Sequence, residues 1–459
     1  MNRFLPLCLL ALTALLAACA PAPMAERAAN LPSALPATLP PMKTFQTRAA
    51  APTNKSNAAL AQDFLALSFQ LESGRALPVF TRFEGPITLR VTGAPIASLN
   101  RDLSNLLTRL RNEAGIPVMQ VPASAQAAIT IEAIPQGQLQ RLVPQAACFV
   151  APRVTSWAEY KRLRRSSKLD WTTLNTRTQL AIFLPANVSP QEVRDCLHEE
   201  LAQALGPLND LYRLTDSVFN DDNFHTVLTG FDMLMLRAYY APELRSGMSR
   251  EMVAARLPAI LARENPRGIA AGTGPSAPTP REWTNAIEGA LGPRGNASAR
   301  LISAKQAVEI ARAQGWNDNR TAFSLFVLGR LSMGTNADQA LTAFLQSDQI
   351  YRAHSDTSLH SAHVAMQLAA YALSAGQADA ALTIVNQNLP SVTASENAAL
   401  LATLLMVKAE ALELLGRASE ARAVRLDSLG WARYGFGSDR DVRTRLNEIA
   451  ALSPAGRNG

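Results

Sequence analysis

The feature that most constrains the fold is a break in composition past the middle of the chain. Residues 264–280 read ENPRGIAAGTGPSAPTP, a stretch dominated by Gly, Pro, Ser and Thr. Gly and Pro disfavour the interiors of helices and strands, so we predict an interdomain linker over 264–281. Short β-rich runs alternate with helical patterns before this break, whereas only helical patterns follow it. The sequence therefore predicts an α+β domain over 58–263 and an all-α domain over 282–459.

The front part of the chain, 58–263, shows both the helical and the strand periodicity. Apolar residues recur every three or four positions in some segments and alternate with polar residues in others. The predicted elements are a helix over 57–72, a strand over 86–91, a helix over 99–114, and strands over 128–133 and 179–184. This order indicates a sheet packed on at least two helices.

The rear part, 282–459, contains three similar turns. Gly334, Gly376 and Gly416 lie about 40 residues apart, and each lies between two apolar helical patterns. The small Ala about five residues after each Gly resembles the tetratricopeptide-repeat (TPR) turn, where close helix packing demands small residues. The resemblance implies TPR-like helical repeats with a concave surface for proteins or peptides. A plain, non-repeating helical bundle is the alternative.

Two histidines in the rear part have a spacing that could suit metal ligands. His360 and His363 share a helix face, but the sequence around them offers no acidic or Cys partner. We therefore predict that they are surface or core histidines.

The N-terminus has the pattern of a secretory signal. Arg3 precedes an apolar run over 5–16 that is too short to span a bilayer. The run leads into the sequence LAAC, which ends at Cys19 and resembles the lipobox of bacterial lipoproteins. The resemblance implies a signal peptide over 1–19 and a lipidated Cys19 that holds the protein to a membrane. Ala20, in place of Asp, implies by the same likeness an outer-membrane lipoprotein of the cell envelope that faces the periplasm. An ordinary secretory signal is the alternative.

The segment that follows the predicted anchor has no apolar periodicity. Residues 20–57 are rich in Ala, Pro and small polar residues. We predict a disordered, partly extended tether over this segment.

Cysteine usage fits an envelope protein. Cys8 would leave with the signal peptide and Cys19 would carry lipid, which leaves Cys148 and Cys196. In an oxidising compartment, two remaining thiols in one domain predict a disulfide. Two separately buried thiols are the alternative.

The charge pattern excludes one class of partner. The formal net charge is +7, and Arg and Lys are scattered except for a cluster over 161–165. Nothing resembles a nucleic-acid-binding motif, so we expect no nucleic-acid partner. The cluster indicates a solvated loop, and contact with anionic lipid headgroups is the alternative.

One helix of the front part carries the most informative motif. Ser189 with Glu192 three residues later, and Pro190 between them, is a helix start signal. Gly206 followed by Pro207 is a helix stop. The buried stripe between these signals is predicted to consist of Val193, Leu197, Leu201 and Leu205.

The second half of this helix resembles the metzincin zinc-peptidase motif. The segment EELAQALGPLN, which begins at Glu199, overlays the metzincin pattern H-E-x-x-H-x-x-G-x-x-H. In this register Glu200 takes the general-base position and Gly206 the turn position. The three ligand positions hold Glu199, Gln203 and Asn209.

Two downstream segments continue the resemblance. The sequence SVFND resembles the metzincin Met-turn, with Ser217 first, Phe219 in place of Met, and then Asn220. The pattern over 228–240 resembles the helix that follows that turn. The order EE-x-x-Q-x-LG then SVFND is also similar to a proteobacterial family of uncharacterised lipoproteins. The resemblance implies an α+β zincin (metzincin)-like fold for the front domain.

Departures from the metzincin pattern decide the expected chemistry. Zinc prefers His and Cys, and catalytic zinc generally has three protein ligands, whereas this register offers one carboxylate and two amides. His198 points about 100° away from Glu199 around the helix, so it cannot be a co-ligand. We therefore expect no catalytic metal and no cofactor. One alternative is a divalent hard cation on oxygen ligands, with nearby candidates Asp210, Asp221 and Asp222. The other is a hydrolase of unusual ligation.

These observations predict a scaffold or adaptor in the cell envelope. The metzincin-like domain would be inactive, and the helical repeats would bind envelope proteins or peptides. Glu200 would join a buried hydrogen-bond network, with Asn220 or Asp232 as candidate partners, rather than act as a catalytic base. The alternative is a metallopeptidase or hydrolase that acts on envelope proteins or peptidoglycan peptides.

Overall fold

The computed structural model describes residues 38–46, 48–144, 146–269, 274–292 and 295–454. The predicted signal peptide, Cys19 and residues 20–37 of the predicted tether lie outside the described residues. None of the helices within the described ranges combines the length and apolar character needed to cross a membrane.

The front part is a mixed α/β unit. In chain order, its helices and strands are α1 (Asn57–Ser68), β1 (Ile87–Gly93), α2 (Leu99–Glu113), β2 (Val118–Gln120), β3 (Ile129–Ile134), α3 (Gln136–Leu142), β4 (Phe149–Pro152), α4 (Trp157–Leu163), β5 (Leu180–Pro185), α5 (Pro190–Leu205), α6 (Gly230–Tyr239), α7 (Arg250–Ala254) and α8 (Leu257–Glu264). Each predicted element is present within a few residues. The strands β2 and β4 were not predicted, because three or four residues are too few to show a period.

The five strands form one sheet in the order β2-β1-β3-β5-β4. All neighbouring pairs are parallel except β4 and β5, which are antiparallel. Every residue of β5 is buried, as expected for a strand covered on both faces. One face packs against α2 and α5, and the other carries a small aromatic cluster in which Phe183 lies 5.2 Å from Trp157.

The rear part is entirely helical within its described residues. Its helices are α9 (Arg281–Leu291), α10 (Ala297–Ala313), α11 (Asn319–Ser332), α12 (Ala337–Arg352), α13 (Ser358–Ser374), α14 (Ala378–Ala394), α15 (Ala398–Leu414), α16 (Ala418–Gly435) and α17 (Asp439–Ala450). Consecutive helices pack as hairpins around one apolar core.

The predicted glycine turns lie between these helices. Gly376 and Gly416 have φ values of +73° and +72°, the left-handed conformation that glycine adopts most readily at a helix end. The helices α11, α13, α15 and α17 begin about 40 residues apart. This spacing agrees with the predicted repeat-like region.

A buried interface joins the two parts. The amide nitrogen of Asn319, in the first turn of α11, donates to the Tyr212 carbonyl, and the Gln191 Oε1 accepts from the Ala399 backbone N–H of α15 at 2.9 Å. The Tyr212 ring lies 5.1 Å from the Trp283 ring inside the rear core. Segment 274–280 connects the two parts, but this interface fixes how they are arranged.

The described end of the predicted tether is ordered against this body. Residues 38–46, which we call the N-terminal strap, form no helix or strand, yet Leu39 is buried in the rear core. Farther along, the Ala50 backbone N–H donates to Glu113 at 3.1 Å, and Lys55 pairs with Asp63 at 2.9 Å. The prediction of disorder is therefore wrong for the described residues between 38 and 55. An extended segment without helix or strand shows no apolar periodicity in its sequence, so the sequence does not reveal whether it packs against the rest of the protein.

Candidate functional site

The helix α5 carries the metzincin-like motif. Its N-terminus is capped by Ser189, whose Oγ accepts from the Glu192 backbone N–H at 3.1 Å. Its C-terminus is capped by Arg177, whose buried guanidinium donates to the carbonyls of Gln203 and Ala204 at 2.5 and 2.8 Å. A cation at this end also complements the helix dipole. No local pattern indicates this cap, because Arg177 precedes β5 in the chain and contacts the helix only in the folded protein.

The predicted disulfide is present. Cys148, just before β4, is bonded to Cys196 of α5, with 5.9 Å between the Cα atoms. The bond ties the antiparallel edge strand to the motif helix. The predicted apolar stripe of α5 is buried as expected: Val193, Leu197, Leu201 and Leu205.

Glu200, at the general-base position, is almost fully enclosed. Only 4% of its surface is exposed, and its Oε2 has no hydrogen-bond partner among the described residues. Burial is the main cause that raises the pKa of Glu200 well above its usual value, and the negative charges of Glu199 and Glu72 raise it further. A hydrogen bond from the Val150 backbone N–H acts in the opposite direction. Burial therefore favours the protonated form of this carboxyl group. In that state it has no free electron pair basic enough to take a proton from water.

The residues at the ligand positions make contacts of their own. Gln203 donates its side-chain N–H to Asp210 Oδ2 at 3.4 Å, and Asn209 donates to the Ala66 carbonyl at 3.0 Å. Glu199 is partly buried, and burial together with Glu72 raises its pKa to about 8. Two of the three side chains are thus held by protein partners through their amide groups.

Several carboxyl groups lie near one another beside the end of α5. Burial, and to a lesser extent the negative charge of Glu72, raises the pKa of Asp210 well above its usual value. The same two causes raise the pKa of Asp221 to about 7. Glu72 also hydrogen-bonds Asp210. Among the described residues, however, no three His, Cys, Asp or Glu side chains are grouped so as to hold a metal ion. Sequence reasoning missed Glu72, which is far from the motif in the chain.

The Met-turn-like segment forms a dense polar network. Ser217 donates its hydroxyl to Asp232 Oδ1 at 2.5 Å, and the backbone N–H groups of Val218 and Thr229 donate to Asp232 Oδ2 at 3.1 and 2.8 Å. Phe219 is fully buried in the front core. This segment is therefore held to the first turn of α6.

The network does not include Glu200, contrary to the predicted partnership. Asn220 donates its amide to the Leu214 carbonyl and accepts from the Asp222 backbone N–H at 3.1 Å. Asp232 is satisfied by the contacts described above. Both candidate partners of Glu200 thus serve the loop backbone, since buried polar backbone outside helices and strands needs side-chain partners.

The histidines of this region are structural. His198 Nδ1 accepts from the Leu228 backbone N–H at 3.1 Å, and burial lowers its pKa well below 6.5, helped by Arg194 and Arg109. His225 Nε2 lies 3.0 Å from the Thr215 carbonyl. Neither histidine lies at a ligand position.

Of the two rear histidines considered above, His360 is a core residue and His363 is half-buried beside it. His360 Nε2 lies 2.9 Å from Asp222 Oδ2, and both side chains are buried. His363 stacks on Phe224 with 4.3 Å between ring centroids, and burial lowers its pKa to about 3. The acidic partner of His360 was missed because it belongs to the front part of the chain.

One family model matches part of the chain. Residues 57–259 match the family described as "Protein of unknown function (DUF2927)". No curated protein and no solved structure matches the chain. The match covers the front α/β region, and the helical region follows it.

Proposed function

We propose that this protein is an outer-membrane lipoprotein, anchored through Cys19, that scaffolds envelope proteins or peptides through its helical region. Its front region is proposed to be a metzincin-like domain that has lost catalysis. The burial of the Glu200 side chain is the observation that supports the proposed loss of catalysis. A general base must reach its proton within hydrogen-bond distance, and only 4% of the Glu200 surface is exposed, in surroundings that favour the protonated carboxyl group.

The groups at the ligand positions also do not fit catalytic zinc. Gln203 and Asn209 offer neutral amides whose N–H groups are engaged by Asp210 and Ala66. Zinc in catalytic sites takes His, Cys or carboxylate ligands. The donor set therefore favours a structural or binding role for this helix.

The helical region supports the scaffold role by its surface. Stacked helical hairpins typically expose an extended face to peptides or proteins. Leu341 and Leu345 lie one turn apart on α12 and are 36% and 53% exposed. Exposed apolar side chains that cluster on one face are typical of interaction surfaces.

The catalytic part of the proposal is tested with Glu200→Gln. The wild-type protein, purified without chelator, and the variant are compared for metal content and for hydrolysis of a generic peptide substrate. We expect substoichiometric metal and no hydrolysis that depends on Glu200. Stoichiometric metal with hydrolysis lost in the variant would establish a metallohydrolase instead.

The scaffold part is tested in cells. A photo-crosslinking amino acid at Leu345 is compared with one at Met119, an exposed apolar position of the front part. We expect a discrete adduct from Leu345 and none from Met119. Equal patterns at both positions would contradict a partner surface on the helical region. Incorporation of labelled fatty acid, with loss in Cys19→Ser, tests the anchor.

A further inference from the structure

The N-terminal strap is bound to the outer face of α16 as an extended peptide. Phe45 stacks on Trp431 with 4.5 Å between ring centroids. The Lys43 backbone N–H donates to the Gly430 carbonyl at 2.9 Å, and the Arg433 guanidinium donates to the Pro40 carbonyl at 3.0 Å. The helix therefore recognises both the side chains and the backbone of the strap.

The Lys43 side chain contacts both a carboxylate and an aromatic ring of α16. Its ammonium group pairs with Asp427 and lies 5.5 Å from the centroid of the Trp431 ring. A carboxylate and an aromatic face together favour a cation over a neutral group. The Lys43 and Asp427 side chains are 44% and 41% exposed, so a competing chain has access to the pair.

The position of Gly430 shows that this face is shaped for a bound chain. A Cβ atom there would lie 2.9 Å from Lys43 Cγ and 3.3 Å from the Pro41 carbonyl oxygen. A glycine inside a helix is destabilising relative to alanine, and Lys43 and Pro41 do not belong to the helical region. The close approach of the strap supplies the reason for a glycine at this position.

The strap also has the chemistry of a recognition peptide. Pro40 and Pro41 restrict it to extended backbone, which lowers the entropy lost on binding. Leu39 enters the rear core, and Lys43 and Phe45 follow it at intervals of four and two residues. These three side chains define the pattern that the α16 face accepts.

We propose that the α16 face is a peptide-binding site that the strap occupies in cis. Its partner is an extended, proline-containing peptide of an envelope protein with an apolar residue, a Lys four residues later and an aromatic residue two further on. Partner binding displaces the strap, so the strap is an autoinhibitory contact. The inference rests on the proposed scaffold function and adds to it a second surface, on α16 rather than on α12, together with the class of ligand that this surface binds.

The experiment measures binding of a labelled peptide with the sequence of residues 38–46 to full-length proteins. In the Lys43→Ala/Phe45→Ala protein the cis contact is weakened, and we expect binding tighter by about tenfold or more than in the wild-type protein. Adding Gly430→Leu, or separately Asp427→Lys, to this protein should weaken binding by about tenfold or more. Ala423→Leu, at an exposed position of the same helix, is the matched control and should not change binding.

Hydrogen exchange at the Lys43 amide gives a second readout. In the wild-type protein this amide is expected to exchange slowly and to exchange faster when excess peptide is added. Equal peptide binding to wild-type and double-variant proteins, or no binding to the double variant, would overturn the proposal. Binding that survives both Gly430→Leu and Asp427→Lys, or that leaves Lys43 exchange unchanged, would place the peptide elsewhere and overturn it as well. Hydrolysis dependent on Glu200 would refute the proposed loss of catalysis without affecting these outcomes.

Discussion

The front and rear parts of this molecule bury their chains in different ways. Between α5 and α6 the front part encloses an irregular segment, and its buried residues include Asn209, Ser217 and Asn220. The buried residues of α15 in the rear part are almost all apolar. Helical backbone satisfies its own N–H and C=O groups, whereas irregular backbone must recruit side chains.

Single side chains should matter more where irregular backbone is buried than where helices pack on one another. In the front part, one carboxylate can hold several backbone groups that lie far apart in the chain. In the rear part, stability is shared among many small apolar contacts between consecutive helices. We therefore expect the largest effects of point substitutions in the front part.

The largest effect is expected for Asp232→Ala. The substitution removes the acceptor for Ser217, Val218 and Thr229 and leaves buried donors unpaired. The free energy of unfolding should fall by about 3–5 kcal/mol, measured by denaturant titration. The matched rear substitution is Asn336→Ala, an exposed helix cap that should cost about 1 kcal/mol. Similar losses for both would contradict the contrast between the two parts.

Removal of the disulfide is expected to have the next largest effect on the free energy of unfolding. Replacing Cys148 and Cys196 by Ala releases a crosslink between residues 48 positions apart and should lower the free energy of unfolding by about 2–4 kcal/mol. Hydrogen exchange should show the loss of protection in β4 and α5 and little change in α12. The wild-type protein in reductant is the control and should behave like the variant. Loss of protection throughout the chain would indicate that the two parts unfold as one unit.

The interface contact of His360 tests that coupling directly. His360→Ala removes the contact to the buried Asp222 Oδ2, while the Phe224 backbone N–H still donates to Oδ1, and should cost about 1–3 kcal/mol. Calorimetry is expected to show one broader or two separated transitions, since the two parts lose a shared contact. Arg352→Ala, which removes a partly exposed ion pair on the neighbouring α12, should cost no more than about 1 kcal/mol. An unchanged, sharp transition in His360→Ala would show that apolar contacts alone couple the parts.

The smallest effect concerns pH. Glu199 has a pKa near 8 in the folded protein, above its ordinary value of 4.5, so the folded state binds more protons than the unfolded state between these pH values. Stability should therefore rise as pH falls from about 8 toward 4.5, by at most about 1.4 kcal/mol per pH unit for one proton. Glu199→Gln should reduce this slope, measured from the free energy of unfolding at pH 6 and pH 7. Glu282→Gln, at an exposed position of α9, is the control for loss of a negative charge. A slope unchanged by Glu199→Gln would show that other carboxyl groups carry it.

Much of the fold could be predicted from local patterns. The α5 boundaries followed from Ser189, Pro190 and Gly206, and the buried stripe followed from the four-residue period. The helical character of the rear part and its glycine turns were also predictable, because helix signals depend on residues close in the chain. The strands β2 and β4 were missed because they are short and owe their conformation to pairing with β1 and β5.

The candidate site was predictable in its residues but not in its arrangement. The motif located Glu199, Glu200 and Gln203 on one helix. Whether Glu200 faces solvent or the interior depends on β4 and the disulfide, which lie elsewhere in the chain. The partner of Gln203 likewise follows from where the chain turns after α5.

Residue type and spacing along the chain were enough to predict most of the helices and strands, their apolar faces and the cysteines available to pair. Tertiary packing encloses Glu200, brings His360 to Asp222 and places the strap against Gly430. These contacts join residues far apart in sequence. Their geometry depends on how the two parts pack, and no local pattern encodes that packing.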